Sequence, residues 1–354
     1  MTHPLLIRAQ TNGTPMIDGE QAVFLWEGDR PPYLIGDFNG WDPYSAAPWV
    51  EASADLWSST LTLPADAYME YAFLTEPKDE ARITDPFNQN TTPNGMGHIN
   101  NYFYMPAGEP TPLTERGYAL RQGRLTRHRI ENKWLLATGK RWVHLYQPPA
   151  RAPVPLIVVY DARDYITRGR LTHIVDNLIA QGRIRPVALA LLDNGGPARG
   201  IEYSCNDATA GFVAGEVLPL AQEHLHLMDP ARHPGAYGVL GASMGGLMAL
   251  YTGLRAPGVF GHVLSQSGAF ELDGAETVTV PLVRHMPVQP LKIWMDVGRY
   301  EWLLEPNRRM YALLQQRSYN VQYREYNGGH NYPSWRNDVW RGLEALFGPD
   351  AHSS

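Results

Sequence analysis

Two near-continuous apolar runs, PLIVVYD (155–161) and RPVALALLD (185–193), flank a segment whose apolar residues recur at helical spacing, LTHIVDNLIAQG (171–182). Runs without polar alternation are buried on both faces, which is the condition of strands inside a parallel sheet. Between them Leu171, Ile174, Val175, Leu178 and Ile179 form one face of a helix, and Gly182 is expected to close it. WRNDVWRGLEALFG repeats the helical stripe with Val339, Leu343, Leu346 and Phe347. Strands alternating with such helices predict an α/β domain, a mostly parallel sheet covered by helices on both faces.

The front of the chain is written differently. AVFLWEG, PYLIGDF, WSSTLTL, YMEYAFL and NNYFYM are short aromatic and β-branched runs separated by turn-rich stretches such as NGWDPYSAAP and NTTPNGMG. Trp57, Leu61 and Leu63 alternate onto one face, with Ser59 as the exception, and no helix of convincing length is expected here. Residues 1–108 therefore read as an all-β sandwich. The Pro- and Arg-rich stretch 109–132 reads as a linker, and residues 133–354 as the α/β domain.

Within the α/β half, AYGVLGAS reads as a strand running into Ser243 and GLMALYTGL as the helix after it. Strand, G-x-S-x-G, helix is the setting of a nucleophile elbow, in which a strained turn lifts a serine hydroxyl above the sheet edge. Side chains at 241 and 245 are expected to collide across that turn, and Gly246 to let the helix approach the strand. The N–H of Met244 then heads the helix, where an oxyanion would develop.

A serine hydroxyl needs a base to take its proton, and the base needs a carboxylate to orient it. On a fold of this kind the acid precedes the histidine in the chain. LKIWMDVGRYEW offers Glu301 past a strand's carboxyl end, with Asp296 inside the strand as the alternative and a structural role as its simpler reading. VQYREYNGGHNYPSWR offers His330 on a loop whose Gly328 and Gly329 permit close approach. His224 and His226 read as solvated, His262 and His285 lack a comparable setting, and no cluster suits a metal. A second oxyanion donor is expected from the YDARDY loop, the N–H of Ala162 or Arg163; Asp161 and Asp164 there read as turn and capping carboxylates.

These motifs, with LLDNGGPARGIEYSCN, DVGRYE and GGHNYPSWR, resemble the esterase D group of α/β-hydrolases, and enterochelin esterases among them, over nearly the whole chain. The resemblance implies a serine esterase with Ser243, Glu301 and His330 as its triad and no cofactor. It also implies arginines around the cleft for an anionic ester: Arg163, Arg168, Arg170, Arg199, Arg299 and Arg336 lie in or near suitable loops. Arg199, Arg299 and Trp335 are the expected substrate contacts, although Arg199 and Glu202 also read as a pair that bridge each other. The front segment resembles the Ig-like domain of enterochelin esterases and, in GDFNGWD, the early-set module of glycogen-branching enzymes and isoamylases. There Phe38 and Trp41 are expected to pack the sandwich rather than stack on sugar. Feruloyl and acetyl esterases share the fold implied, as do mycolyltransferases, so acyl transfer is the chemical alternative. A carbohydrate-binding protein with a degenerate hydrolase domain is the non-enzymatic one.

Composition narrows the setting. A net charge of −6 argues against a general nucleic-acid role, and a lone Cys205 leaves no intrachain disulfide. Neither a signal peptide nor a membrane span is evident, so the expectation is a cytoplasmic protein acting on a small-molecule ester, with its oligomeric state open.

Overall fold

The computed structural model of the chain describes residues 3–115, 117 and 122–349. The chain divides into two compact units. The first comprises the described residues of Met1–Pro110 with Gly298–Trp302 and Glu325–Ser334, and the second those of Thr111–Val297, Leu303–Arg324 and Trp335–Ser354.

In the first unit the strands are β1 (Met16–Asp18), β2 (Gln21–Glu27), β3 (Tyr33–Gly36), β4 (Val50–Ser53), β5 (Leu56–Thr62), β6 (Tyr68–Leu74), β7 (Thr91–Pro93) and β8 (Ile99–Tyr104). They form two four-stranded antiparallel sheets, ordered β1-β2-β5-β4 and β3-β6-β8-β7. Phe24 of β2 meets Tyr71 of β6 and Phe103 of β8 edge-on, with centroids 5.0 and 5.8 Å apart, so the sheets pack face to face. Each such fully buried ring stabilises the sandwich by about 2 kcal/mol. Ser59 is buried along with its odd-numbered neighbour Leu63. One element departs from expectation: α1, Pro4–Asn12, is a helix of nine residues. Pro4 occupies its first turn and the His3 side chain accepts the N–H of Leu5, so local capping nucleates a segment with little periodicity.

The second unit holds β9 (Arg124–Glu131), β10 (Lys140–Gln147), β11 (Leu156–Tyr160), β12 (Ala188–Leu192), β13 (Tyr237–Ala242) and β14 (Phe260–Gln266). After the two-residue strands β15 (Glu271–Leu272) and β16 (Ala275–Glu276) come β17 (Lys292–Tyr300) and β18 (Asn320–Gly329), whose carboxyl ends fall in the first unit. The sheet runs β18-β17-β14-β13-β11-β12-β10-β9. Its β12-β11-β13-β14-β17 centre is parallel, and β10 and β9 are antiparallel.

The helices are α2 (Ala162–Thr167), α3 (Leu171–Ala180), α4 (Arg199–Tyr203), α5 (Asp207–Phe212), α6 (Leu218–His224), α7 (Met244–Arg255), α8 (Thr279–His285), α9 (Leu304–Gln316) and α10 (Tyr332–Phe347). On α3 the stripe Leu171, Ile174, Val175 and Leu178 is fully buried, and the helix ends with Gly182 at φ +66°. Gly253 of α7 abuts Val263, whereas Gly342 of α10 abuts Leu264, the next residue of β14. Neighbouring strand residues point to opposite faces, so α7 and α10 cover opposite sides of the sheet.

The linker expected at 109–132 is corrected by the structure, with residues 116 and 118–121 outside the described residues. Asn177 of α3 donates to the carbonyls of Leu113 and Glu115, and residues 124–131 are an edge strand paired with β10 along its whole length. RLTRHRIE hides its strand character behind Arg124, Arg127, His128 and Arg129, and charge on an edge strand is a common guard against edge-to-edge association.

Candidate active site

β13 is fully buried and ends at Ala242; α7 starts at Met244. Ser243 alone makes the turn, at φ +59° and ψ −123°. That conformation costs on the order of 1–3 kcal/mol in a residue with a Cβ and persists only where its surroundings fix it. Here they do: Ser243 N–H donates to Gln266 O at 2.9 Å, and its carbonyl accepts the N–H groups of Leu247 and Ala269 at 3.0 and 3.1 Å. A Cβ on Gly241 would stand 2.3 Å from the carbonyl oxygen of Gly245, across the turn as expected. Gly245 differs from expectation. A Cβ there would meet Asp161 Oδ2 at 3.2 Å instead of the far side of the turn. A Cβ on Gly246 would press on Ser265 and Gln266 of β14.

Glu301 and His330 are brought together in the first unit. His330 Nδ1 and Glu301 Oε2 are 2.5 Å apart, and Gly298 N–H donates to Glu301 Oε1 at 2.6 Å. The Glu301 carboxylate is completely buried. A carboxylate only accepts, so Nδ1 is the donor in this contact, and in a neutral imidazole the lone pair then falls on Nε2, an arrangement suited to a general base. Trp302 lays its ring 4.5 Å from that of His330 while remaining 67% exposed.

Asp296 has a different occupation. It is buried in β17, where its carboxylate accepts Trp294 Nε1–H at 2.8 Å and the Gln266 amide at 3.3 Å, and its carbonyl accepts Ser267 N–H. Gln266 Oε1 in turn accepts the hydroxyl of Tyr165. Burial above all, with Asp296 nearby, pushes that phenol well above its usual range and keeps it a donor. Asp296 thus anchors the end of β14, which leads into Ser267 and whose Gln266 carbonyl accepts Ser243 N–H.

The YDARDY loop also departs from expectation. Asp161 sits at φ +61° before α2, and its side chain caps nothing. It receives Arg199 Nε and Nη2 at 2.8 and 2.7 Å and Asn194 Nδ2 at 2.7 Å. Arg199 is therefore held by Asp161, and Glu202 is held by Arg141 at 2.5 and 2.7 Å, so the two do not bridge each other. Asp164 pairs with Arg168 one turn on. The N–H groups of Ala162 and Arg163 head α2, ahead of those of Asp164 and Tyr165, which bond to Asp161 O.

Among the expected substrate contacts, Trp335 is 4% exposed and donates its indole N–H to Ser267 Oγ at 2.9 Å. Arg299 is half exposed and leans on Glu325 at 3.3 Å. His262 is buried in β14 with Nδ1 against Gly235 O, and burial, aided by Arg185, lowers it to about 4. Neither a cluster fit to hold a metal nor a helix long and apolar enough to cross a membrane occurs among the described residues.

Comparison with known proteins now adds to this geometry. Residues 138–346 match the family model described as "Putative esterase". The chain is 31% identical to the iron(III) enterobactin esterase of Dickeya dadantii (strain 3937), covering 96% of this chain and 91% of that one. This chain belongs to the enterobactin esterase-like family of esterases. A second relative, the iron(III) enterobactin esterase of Escherichia coli (strain K12), is 25% identical over 85% of this esterase and 82% of its own length. The crystal structure of ferric enterobactin esterase from Salmonella typhimurium superposes with a TM-score of 0.78 at 23% identity, covering 92% and 93% of the two chains. That likeness supports the fold, an Ig-like sandwich with an α/β-hydrolase domain. The family makes this protein a carboxylic ester hydrolase.

Proposed function

We propose that this esterase hydrolyses a small catecholate-type siderophore ester through an acyl-enzyme on Ser243. The observation that carries the chemistry is the fixed, strained turn at Ser243 between a buried strand and a helix, together with an imidazole whose Nδ1 is bound by a buried carboxylate. His330 Nε2 takes the hydroxyl proton as Oγ attacks the ester carbonyl. Glu301 holds the imidazolium that results. The oxyanion is received by Met244 N–H with that of Ala162 or Arg163, each in the first turn of its helix. His330 then returns the proton to the leaving alcohol, and water releases the acid by the same steps in reverse order.

The substrate class rests on the relatives, whose names specify iron(III) enterobactin and which align along nearly the full chain. A hydrolysis panel tests both parts: a short p-nitrophenyl ester, a feruloyl ester and enterobactin, each against Ser243→Ala as the blank. The reading predicts that the variant hydrolyses none of them and that enterobactin has the largest kcat/KM. Preference for the feruloyl ester would overturn the substrate class. Turnover unchanged in Ser243→Ala would overturn the mechanism. Adding an alcohol acceptor separates hydrolysis, which yields free acid, from transfer, which yields a new ester.

A further inference from the structure

The GDFNGWD turn of the sandwich is the motif that the esterase chemistry leaves unexplained. Asp37 within it is 3% exposed and lies against the loop that carries His330, both inside the first unit. A Cβ on Gly329 would stand 2.0 Å from Asp37 Cγ, so the carboxylate occupies the space that any other residue's side chain would need. On the far side of His330, Asn331 Nδ2 donates to Asp37 Oδ2 at 3.1 Å. Both immediate neighbours of His330 thus rest on one carboxylate.

Asp37 is itself immobilised. Its Oδ2 also accepts Glu70 N–H at 2.8 Å, and its Oδ1 accepts Trp41 Nε1–H at 3.1 Å. Arg82 stacks on the Trp41 ring at 4.1 Å and donates to Asn100, which donates to Glu70 Oε2. Trp41 therefore serves the turn by anchoring Asp37. Holding a carboxylate there has a cost, since burial and the nearby Glu70 push the Asp37 carboxyl well above its usual range. A sandwich selected for packing alone would place an apolar side chain at such a site.

We infer that Asp37 is a positioning residue that fixes the His330 loop from the sandwich side, through Gly329 and Asn331. The inference rests on the proposed role of His330 as the base. A base displaced by about 1 Å can lose roughly a hundredfold in rate with little change in binding. Three variants test it. Asp37→Ala removes the support. Asn331→Asp keeps the acceptor that caps Ser334 N–H but sets a second carboxylate against Asp37. Asp37→Asn keeps the shape and one oxygen for Glu70 N–H and Asn331.

The expected result is kcat down about tenfold or more in the first two, KM within about twofold, and the third within about threefold of wild type. In a His330→Ala background, Asp37→Ala should lower the residual rate no further, a non-additivity that a merely structural role would not produce. Wild-type kcat in Asp37→Ala and Asn331→Asp, or additive losses in the double variant, would overturn the inference. Full activity of His330→Ala would instead overturn the triad reading on which it rests.

Discussion

Glu301 gives one carboxylate oxygen to His330 Nδ1 and the other to the backbone N–H of Gly298, at 2.5 and 2.6 Å. Both oxygens of a fully buried carboxylate are thereby bound, and the side chain cannot rotate without leaving a donor unpaired.

Glu301→Gln should lower kcat by roughly a hundredfold or more with the protein still folded, because the amide no longer holds the Nδ1–H tautomer or the imidazolium. Asp296→Asn should do the opposite. It loosens the Trp294 and Gln266 bonds and lowers the melting temperature, but leaves kcat of the folded enzyme within about threefold. Steady-state kinetics and thermal unfolding of the two variants separate the roles.

Arg199 is the structural partner of Asp161. Its guanidinium is 30% exposed, whereas the Asp161 carboxylate it holds is 1% exposed. Arg199→Ala strands that carboxylate, leaving only Asn194 to satisfy it, and should cost about 2–4 kcal/mol in urea unfolding. Asp161→Asn with Arg199→Ala should recover part of the loss, since a neutral amide tolerates the burial.

His262 makes stability depend on pH in a direction opposite to that of a salt-bridged histidine. Its ordinary value of 6.5 falls to about 4 in the fold, so the unfolded chain binds the proton first. The stabilisation is complete above about pH 6.5 and is lost as pH falls from there to about 4. Between pH 7 and pH 5 the wild type should lose about 2 kcal/mol more than His262→Gln, read as the difference in their urea unfolding free energies.

Periodicity made the α/β half legible. The stripe on α3, the buried runs of β11 and β12 and the elbow at Ser243 are local patterns, each written in fewer than about a dozen consecutive residues. The contact between Glu301 and His330 was also within reach, because their order after the serine and their place beyond strand ends narrow the choice.

What stayed hidden was long-range pairing. Nothing in YDARDY indicates that Asp161 will bind an arginine 38 positions on, or that Glu202 will choose Arg141 over its neighbour Arg199. The bond from Trp335 to Ser267 was not legible either, because an aromatic beside a glycine-rich loop looks the same in sequence whether it faces a ligand or a serine of the core. Strand β9 escaped because charged edge strands lack the apolar alternation that marks interior ones. Asp37 carried a signal, a carboxylate in a turn that also holds Phe38 and Trp41, but its partner loop lies almost three hundred residues away.

The central claim is that Ser243 is the nucleophile and depends on His330 for its reactivity. Labelling the whole protein with a fluorophosphonate and mapping the modified peptide by mass spectrometry tests both halves at once. The account predicts one adduct, on Ser243, formed at least about a hundredfold more slowly in His330→Ala. An adduct on another residue, or equal labelling rates with and without the imidazole, would contradict it.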